Sequence, residues 1–294
     1  MSLHHLNTYR GGQPRQLRIE DFMADSFSDK LCVVTGAGSG IGRALAIALN
    51  ARGAALALSD IDEVGLEETK SLIETSRNRI RFDRVDVADA SAIEVYAEKI
   101  GADLGDADYV FNVAGLTRVG TFENSPLSSF EKIMDVNFWG VVRMTKAFLP
   151  QLMKTKGGVV NISSVFGIIG FPGQSHYCAS KFAVRGFNET IAQELQDKGV
   201  RVTSVHPGGV ATNIANNAVL DNLTPGYANE DEFRNTFDKA ARTSPEKAAE
   251  VILKGAAKGK RRVLVGNDAY FISGIQRLLP TRYAALIRKL LPSP

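Results

Sequence analysis

Short apolar runs rich in β-branched residues alternate with helical patterns over most of this 294-residue chain. Such an alternation predicts parallel strands joined by right-handed helical crossovers. The runs show no clean apolar–polar alternation, which is typical of strands that helices cover on both faces. We therefore expect one doubly wound α/β domain, with a seven-stranded parallel sheet flanked by helices. The predicted strands are Leu31–Thr35, Ala54–Ser59, Ile80–Val85, Asp108–Val113, Gly158–Ile162, Val200–His206 and Arg262–Val265, and the predicted helices span roughly 40–52, 62–77, 91–104, 126–154, 175–198 and 245–258.

The two ends of the chain differ from this alternating body. Residues 1–28 form a polar leader, the domain spans 29–266, and 267–294 form an amphipathic helical extension that Pro280 interrupts. From Lys254 onward the chain carries nine basic residues and one acid, Asp268, although its formal net charge is only +3. Such a segment can contact anionic lipid, a partner or nucleic acid, or can be a solvated flank. We favour packing within the protein or against a neighbouring subunit over peripheral membrane contact, and we expect no nucleic acid, because no recognition motif accompanies the basic residues.

Composition narrows the class of protein further. Hydrophobic residues make up 44% of the chain and charged residues 23%, which argues against a disordered or fibrous protein. The two cysteines, Cys32 and Cys178, cannot supply a disulfide scaffold, so we expect a reducing compartment, the cytoplasm, and no metal site. The sequence contains no run of 18 apolar residues, so we expect no membrane-spanning helix. The segment 126–154 is apolar on more than one helical face, which indicates burial of more than one face, with a second protein chain as a natural source of the extra burial.

A glycine cluster lies between the first predicted strand and the helix that follows it. In the spacing G-x-x-x-G-x-G, from Gly36 to Gly42, glycine permits a tight turn, lets backbone N–H groups approach a pyrophosphate and lets the helix pack close to the strand. The N-terminus of the helix adds partial positive charge toward the phosphates. The position of the cluster predicts a Rossmann-type dinucleotide site. The expected contacts are Gly36, Ser39, Gly40, Ile41 and Gly42.

Asp60 ends the second predicted strand, where an acid accepts hydrogen bonds from the ribose hydroxyls of adenosine. A carboxylate there repels a 2′-phosphate, so we favour NAD over NADP as the cofactor. Ser39, which stands before Gly40 in place of a basic residue, removes one usual phosphate partner. Arg43 lies close enough to leave NADP open. A helix cap or a surface acid is the alternative interpretation of Asp60.

Two further turns at predicted strand ends bear on the same cofactor. Asp86, followed by Val87, comes after the third strand, where contact with an adenine ring is expected. The alternative for Asp86 is to cap the next helix, a role for which Asp89 competes. The segment Asn112–Gly115 closes the fourth strand, and its small residues let a cofactor lie against the backbone. The expected contacts are Asp86, Val87, Asn112, Ala114 and Gly115.

Tyr177 and Lys181 open a predicted helix and are four residues apart, so their side chains share one face. A free tyrosine has a pKa near ~10, and a neighbouring cation favours the phenolate and lowers that pKa. Ser164 ends the fifth predicted strand beside the same crevice, where its hydroxyl can hold a substrate oxygen for proton exchange with Tyr177. These three residues predict a general acid/base site, in which Lys181 can also reach the ribose of nicotinamide.

Together these motifs resemble those of the short-chain dehydrogenase/reductase family. The likeness covers about residues 30–266, and the motifs occur in the family's order and approximate spacing. They are Thr35-Gly-x-x-x-Gly-Ile-Gly42, Asp60, Asn112-Val-Ala-Gly115, Asn137, Ser164, Tyr177-x-x-x-Lys181 and Pro207-Gly208. Val113 departs from the pattern, because the family often has a second asparagine there.

The resemblance implies a role for each matching residue. Tyr177 would be the proton donor and acceptor, Ser164 would orient the substrate, and Lys181 would hold the ribose and tune the phenol. Asn137 matches the asparagine that holds a water in a proton relay to Lys181, and an amide that only bonds backbone is the alternative. His176 borders Tyr177, but adjacent helical positions face different ways, so packing or capping is favoured over catalysis. The positions that match the nicotinamide end of the cofactor site are Pro207, Gly208, Val210 and Thr212.

The activity that the resemblance implies is NAD(P)-dependent hydride transfer between a secondary alcohol and a ketone, in a homodimer or homotetramer. The apolar stretch Val165–Gln174 and the long connection Gly209–Thr243 are expected to line the substrate pocket. That lining favours a lipophilic small-molecule substrate. The alternative is a regulator or scaffold that binds NAD without turnover.

Overall fold

A computed structural model of the chain describes residues 26–73, 79–212, 218–222 and 241–290, and it confirms the doubly wound fold. The strands are β1 (Leu31–Thr35), β2 (Ala55–Asp60), β3 (Ile80–Arg84), β4 (Tyr109–Asn112), β5 (Arg118–Val119), β6 (Gly158–Ile162), β7 (Arg201–Pro207), β8 (Val219–Leu220) and β9 (Arg262–Val265). Seven of them form one parallel sheet in the order β3-β2-β1-β4-β6-β7-β9, and β5 pairs with β8 separately. The strand order reverses direction between β1 and β4, so their carboxyl ends flank the crevice where open α/β sheets bind ligands.

The helices of the described ranges cover both faces of the sheet. They are α1 (Gly40–Asn50), α2 (Glu63–Ser71), α3 (Ala90–Asp103), α4 (Leu127–Met134), α5 (Gly140–Thr155), α6 (Ser175–Glu194), α7 (Pro245–Ala257), α8 (Asn267–Leu278) and α9 (Tyr283–Leu290). Successive side chains of a strand point to opposite faces. In β1, Cys32 and Val34 accordingly join the cluster formed with α1 and α7, while Leu31 and Val33 join the cluster formed with α3 and α5. All five residues of β1 are buried, which explains why its sequence shows no polar alternation.

The predicted helix over 126–154 is interrupted. A π-helical turn, Asp135–Trp139, separates α4 from α5. One extra residue in a helical turn rotates everything after it by about 100°, so the apolar residues of α4 and α5 do not lie on one stripe. Part of the broad apolar pattern is solvent-exposed in this chain, since Leu127 is 72% and Trp139 48% exposed.

The other boundaries differ from expectation by small amounts. The helix predicted over 62–77 ends at Ser71, with 74–78 outside the described residues, and the helix predicted over 175–198 ends at Glu194. The break at Pro280 is confirmed, because it falls between α8 and α9. The predicted leader lies outside the described residues except for 26–28, where Phe27 is fully buried against Tyr109, so core packing begins before residue 29. No helix in the described ranges is long and apolar enough to cross a membrane.

Candidate active site

The glycine turn connects β1 to the N-terminus of α1 at the crevice. Gly36 has φ of 69°, in the left-handed region, and a Cβ there would lie 2.8 Å from the amide nitrogen of Ala114. A Cβ on Gly42 would overlap the carbonyl oxygen of Gly36. Glycine is therefore required for α1 to pack this close to the turn. Ser39 is the exposed N-cap residue of α1, with Gly40 and Ile41 opening the helix behind it.

Thr35 joins this turn to the one that follows β4. Its hydroxyl oxygen accepts the backbone N–H groups of Val113 and Ala114, at 3.0 and 3.1 Å. The side chain of Asn112 points into the fold, where its amide donates to Asn161 and Thr145. Contact between Asn112 and a cofactor therefore has to come from its backbone. Thr35 belongs to the sequence motif, but its bridging role depends on the pairing of β1 with β4 and was not predicted.

Asp60 lies at the carboxyl end of β2 and faces the glycine turn. One carboxylate oxygen accepts the N–H of Gly38 at 2.8 Å, and the other accepts the N–H of Asp62 at 3.0 Å. Asp62, not Asp60, caps α2 by accepting the N–H of Val64. The helix-cap alternative for Asp60 is therefore wrong, and its half-buried carboxylate lies beside the glycine turn.

Arg43 is engaged within the fold. Its guanidinium binds the carboxylate of Glu68 at 2.6 Å, the hydroxyl of Thr69 at 3.0 Å and the carbonyl of Gly65 at 3.2 Å, and it also donates to the carbonyl of Gly38. These four partners tie α1 to α2. All four bonds come from Nε and Nη2, and the carboxylate of Glu68 balances the charge of the guanidinium.

The turn after β3 holds Asp86 and Val87 near the same edge. Asp86 accepts the N–H of Ala88 at 2.9 Å and forms a local turn, while Asp89 caps α3 through the N–H of Ala92. The capping alternative for Asp86 is thus wrong. Val87 is buried against Gly140, and both residues lie beside Thr35, Asn112 and Ala114.

Residues 207–212 come to the glycine turn from the other side. Thr212 packs over Gly40, with its Cγ2 3.0 Å from the position that a Cβ on Gly40 would take. Val210 is buried and bridges to Thr243. Asp268 of α8 accepts the N–H of Gly209 at 2.7 Å, and a Cβ on Gly208 would overlap its carboxylate. The structure therefore brings the segment from Pro207 to Thr212 to the crevice at the start of α1.

Three consecutive residues at the end of β6 hold the first two turns of α6. The carbonyl of Ile162 accepts the ammonium of Lys181 at 3.0 Å, and the hydroxyl of Ser163 donates to the carbonyl of Lys181 at 2.8 Å. The hydroxyl of Ser164 accepts the N–H of Phe166 at 3.1 Å and lies next to the phenol of Tyr177. The predicted grouping of Ser164, Tyr177 and Lys181 is present, with Nζ of Lys181 5.5 Å from the ring centroid of Tyr177.

The electrostatics of this group differ from expectation. Burial raises the pKa of Tyr177 to about 12, although its hydrogen bond with Ser164 opposes that shift. Burial also lowers the pKa of Lys181 to about 8. The predicted lowering of the phenol pKa is absent, because desolvation of the phenolate dominates and the ammonium of Lys181 is directed at the carbonyl of Ile162.

Asn137 lies in the π-helical turn and is fully buried. Its amide oxygen accepts the N–H of Leu116 at 2.9 Å, and its amide nitrogen donates to the carbonyl of Leu116 and to the hydroxyl of Ser180. The side chain thus bonds backbone, as in the alternative interpretation, although this backbone belongs to the loop after β4. A Cβ on Gly115 would lie 3.2 Å from Oδ1 of Asn137 and 3.5 Å from Nζ of Lys181. Gly115 therefore lies next to both the amide of Asn137 and the ammonium of Lys181.

His176 packs and caps, as predicted. Its Nδ1 accepts the backbone N–H of Tyr177 at 2.8 Å, and its ring lies edge-on to Phe130. Its Nε2 lies 3.8 Å from Oδ2 of Asp221. Arg118 binds the other carboxylate oxygen of Asp221, Oδ1, at 2.6 Å. Burial lowers the pKa of His176, so it is neutral at pH 7. Arg118 and Asp221 were not predicted, because they are 103 positions apart and belong to no local motif.

The predicted substrate-lining stretch 165–174 is aromatic near the phenol. Phe166 stacks on Phe171 at 5.0 Å and lies edge-on to Tyr177 at 6.2 Å. The C-terminal helices pack on the same stretch, since the hydroxyl of Tyr283 accepts the N–H of Gly170 at 3.0 Å. Of the second predicted lining segment, 209–243, the residues 213–217 and 223–240 lie outside the described residues.

Comparisons with known proteins agree with this geometry. A family model described as short chain dehydrogenase matches residues 30–222. "Putative oxidoreductase SadH" of Mycobacterium tuberculosis is 44% identical over 266 residues, which cover 89% of this chain and 95% of that protein. Meso-2,3-butanediol dehydrogenase of Serratia marcescens is 32% identical over 250 residues, covering 84% and 92%.

A solved structure supports the same fold. The short-chain dehydrogenase/reductase from Burkholderia phymatum in complex with NAD superposes with a TM-score of 0.78 at 24% identity, covering 86% of this chain and 94% of that one. The sequence motifs, the doubly wound sheet and the family match all agree. The chain therefore belongs to the short-chain dehydrogenase/reductase family of oxidoreductases.

Proposed function

We propose that this protein is an NAD-dependent oxidoreductase that interconverts a lipophilic secondary alcohol and its ketone, with Tyr177 as the general acid/base. The observation that carries the proposal is the grouping of Ser164, Tyr177 and Lys181 at the end of β6, where Nζ of Lys181 bonds the carbonyl of Ile162 and lies 5.5 Å from the ring centroid of Tyr177. This group lies at the carboxyl edge of the sheet, as does the glycine turn after β1. Binding alone needs no such acid/base group, so the catalytic function is favoured over an NAD-binding regulator.

The residues around the crevice fit a dinucleotide. Gly36 and Gly42 leave no space for side chains where backbone must approach a pyrophosphate, and the N-terminus of α1 faces the same turn. The nicotinamide would supply the hydride chemistry when bound. Asp60 would hold the adenosine ribose, and Lys181 the nicotinamide ribose. The remaining proposed contacts are Ser39, Gly40, Ile41, Asp86, Val87, Asn112, Ala114, Gly115, Tyr177, Pro207, Gly208, Val210 and Thr212.

The preference for NAD follows from two neighbouring charges. The carboxylate of Asp60 lies beside the turn and repels a 2′-phosphate. Arg43 is the basic side chain nearest in sequence to the turn, and Glu68, Thr69 and two carbonyls already hold its guanidinium. A 2′-phosphate would therefore meet the carboxylate of Asp60, while Glu68 already balances the charge of the nearest guanidinium.

In the proposed reaction Tyr177 takes the hydroxyl proton during alcohol oxidation and returns it during ketone reduction. Ser164 holds the substrate oxygen, because its hydroxyl already contacts the phenol. The ammonium of Lys181 stabilises the phenolate, and Asn137 fixes the loop at Leu116 next to that ammonium. General acid/base groups are most effective when the pKa lies near the operating pH. Because the phenol pKa in the protein alone is about 12, we expect alcohol oxidation to speed up as pH rises.

The substrate class is inferred from the aromatic wall. Phe166 and Phe171 stack on each other beside Tyr177, and no charged residue occurs between Val165 and Gln174. Apolar surface of this kind favours a lipophilic substrate over a charged hydroxy acid. The Serratia relative is named for a diol, which supports alcohol chemistry more broadly.

The test is NADH formation over a panel of secondary alcohols, from short to lipophilic, with charged hydroxy acids included. Tyr177→Phe should lower kcat by roughly 10²- to 10⁴-fold while NAD binding is kept, since only the proton carrier is lost. The control is Tyr270→Phe, which removes a hydroxyl from an exposed tyrosine of α8. Tight NAD binding with no turnover of any alcohol or ketone would instead establish the regulator, and activity confined to charged hydroxy acids would refute the lipophilic substrate.

We also propose that the chain forms a homodimer or homotetramer through the faces of α5 and α6. Trp139, at the start of α5, is 48% exposed, and Phe182 of α6 is 41% exposed. Large exposed apolar side chains mark interaction surfaces. Trp139→Glu should lower the mass measured by light scattering to that of a smaller assembly, whereas Val95→Glu, at an exposed position on α3, should not.

We place the protein in the cytoplasm, with peripheral membrane contact through α8 and α9 as the alternative. Tyr270 and Phe271 are 61% and 57% exposed on α8, in a segment that also carries Arg277 and Arg282. Such a surface can lie on anionic lipid. Co-sedimentation with anionic liposomes tests the alternative, because Phe271→Asp should abolish partitioning if this surface inserts and should leave it unchanged if packing alone explains the extension.

A further inference from the structure

A continuous chain of buried polar side chains crosses the core from β4 to Ser164. Asn112 donates to Asn161 at 2.7 Å, Asn161 donates to Asn188 at 2.6 Å, and Asn188 donates to Ser204 at 3.1 Å. Ser204 lies 3.1 Å from Nε2 of His206. Nδ1 of His206 then lies 3.0 Å from the carbonyl oxygen of Ser164. Each of these side chains is at least 97% buried except that of Ser164, which is 8% exposed as a residue.

The hydrogen bonds of this chain all run in one direction. A carbonyl oxygen can only accept, so Nδ1 of His206 carries the hydrogen and donates to Ser164. Burial lowers the pKa of His206 to about 4, so the imidazole is neutral at pH 7 and its Nε2 is an acceptor. Ser204 must therefore donate its hydroxyl hydrogen to Nε2 while it accepts from Asn188. Aligned hydrogen bonds in a low-dielectric interior strengthen one another.

The route of these hydrogen bonds connects the core to the proposed active site. It terminates on the residue whose hydroxyl contacts the phenol of Tyr177, and it passes through Asn188, which lies on α6 with Tyr177 and Lys181. The same bonds therefore fix β6, β7 and α6 relative to one another. The carbonyl of Ser164 also accepts the N–H of Gly167 at 3.0 Å. Loss of the His206 donor would therefore remove one of its two partners, the one that ties this loop to β7.

We propose that His206 is a positioning residue that holds Ser164 in register with Tyr177 by donating from Nδ1 to the carbonyl of Ser164. This inference rests on the proposed function, because it concerns the alignment of the same acid/base group. It assigns to His206 no contact with substrate or cofactor. The sequence signal was present, since Ser204 and His206 are polar residues in a predicted strand of a sheet that helices cover on both faces.

The two amide substitutions of His206 separate its two nitrogens. The side-chain amide nitrogen of Asn can occupy the position of Nδ1 of the imidazole. His206→Asn therefore keeps a donor for the carbonyl of Ser164 and loses the acceptor for the hydroxyl of Ser204. Gln reaches the position of Nε2, so His206→Gln keeps a partner for Ser204 and loses the donor to Ser164. We expect kcat to fall roughly 10- to 100-fold in His206→Gln and to be largely retained in His206→Asn. The Kd for NAD should be unchanged in both variants.

Ser204→Ala is the matched control, because it breaks the chain one step earlier and leaves the bond from His206 to Ser164 in place. Its kcat should stay close to that of the wild type even if its melting temperature falls. Equal losses of kcat in His206→Asn and His206→Gln, or a loss that tracks melting temperature across all three variants, would overturn the inference and leave a structural role.

A measurement without turnover separates this inference from the proposed function. The chain has four histidines, and the two in the described ranges have opposite hydrogen-bond patterns. Nδ1 of His176 accepts a backbone N–H, so the hydrogen of its neutral ring is on Nε2, whereas that of His206 is on Nδ1. Nitrogen NMR of labelled histidine should show both tautomers at pH 7, with the Nδ1–H signals absent from His206→Gln. An Nε2–H tautomer for His206 would refute the positioning bond whether or not any alcohol is oxidised.

Discussion

The two sides of the crevice are built by different means. On the proposed cofactor side, defined by residues 35–42, 60, 86–87 and 112–115, backbone groups and glycines set the geometry within short stretches of sequence. On the substrate side, defined by residues 165–174, 218–222 and 267–286, side chains from distant segments hold one another, as in the bonds from Gly170 to Tyr283 and from Arg118 to Asp221. The cofactor side tolerates little change, because a Cβ added by substitution at Gly36 or Gly42 would overlap the backbone. The substrate side can change by single side chains, which suits a surface that sets specificity.

The sharpest test of this contrast is a single methyl group. Gly42→Ala places a Cβ against the carbonyl of Gly36, and only backbone movement can relieve the overlap. We expect a loss of several kcal/mol in the free energy of unfolding, together with loss of NAD binding. The control Gly274→Ala, on α8, adds the same methyl group where no atom lies within 4 Å of the new Cβ, and should stabilise the helix by about 0.5–1 kcal/mol. Denaturant unfolding and NAD titration measure both effects, and comparable stability of the two variants would contradict the model of a backbone-built cofactor side.

The next largest effect concerns the choice of cofactor. Asp60→Ser should lower kcat/KM for NAD by roughly 10- to 100-fold, since the ribose loses its charged acceptor. It should gain little activity with NADP, because Glu68 still holds Arg43. Adding Glu68→Gln to Asp60→Ser should free the guanidinium and raise kcat/KM for NADP. Asp62→Ser is the control, because it keeps the cap of α2 and leaves Asp60 in place. An unchanged ratio of NAD to NADP activity in Asp60→Ser would argue that Asp60 is only a turn residue.

The same contrast explains what the sequence could predict. The glycine turn and the pair Tyr177–Lys181 are local patterns, so their spacing was sufficient to place them on one crevice. The interruption of 126–154 at Asp135–Trp139 was not predictable, because a π-helical turn depends on the contacts that Asn137 makes with the loop at Leu116. The raised pKa of Tyr177 also required the fold, since proximity to a cation is local and desolvation is not.

On the substrate side the contacts depend on tertiary pairing alone. Arg118 and Asp221 meet because β5 pairs with β8 in parallel, and neither strand is longer than two residues. No periodicity identifies strands of that length. The signal that remains is a charged residue next to a short apolar run, which is far too common in sequences to identify a partner.

The ion pair between β5 and β8 should have a moderate effect on stability. Asp221 is 98% buried in its side chain and accepts from Arg118 and Ser129, so Asp221→Ala should cost roughly 2–3 kcal/mol by leaving these donors unpaired. Glu189→Ala, which breaks an exposed pair with Arg185, should cost less than about 0.5 kcal/mol. Urea unfolding compares them, and equal costs would mean that β5 and β8 are held by something other than this pair.

The pH dependence of that pair has a definite sign. Burial acts to raise the pKa of Asp221, but the hydrogen bonds from Arg118 and Ser129 outweigh it, and the pKa is lowered. A carboxylate with a lowered pKa contributes stability above its unfolded-state pKa and loses it as pH falls through the folded-state value. The stability difference between wild type and Asp221→Ala should therefore shrink as pH falls below about 4, and a difference independent of pH would exclude the charge as its cause.

The smallest expected effect lies at the contact between α9 and the aromatic wall. Tyr283→Phe removes one acceptor from the N–H of Gly170 and leaves the packing of the ring near Val165 and Ile169 intact. A single neutral hydrogen bond at a partly exposed site contributes about 0.5–1.5 kcal/mol, so the melting temperature should move little. Because Phe171 follows Gly170 and stacks on Phe166 beside Tyr177, KM for a lipophilic alcohol should rise a few-fold while kcat and the Kd for NAD stay unchanged. A fall in NAD affinity instead would show that the contact at Tyr283 also supports the cofactor site, as Asp268 of α8 does at Gly209, and would contradict a separate role for the aromatic wall.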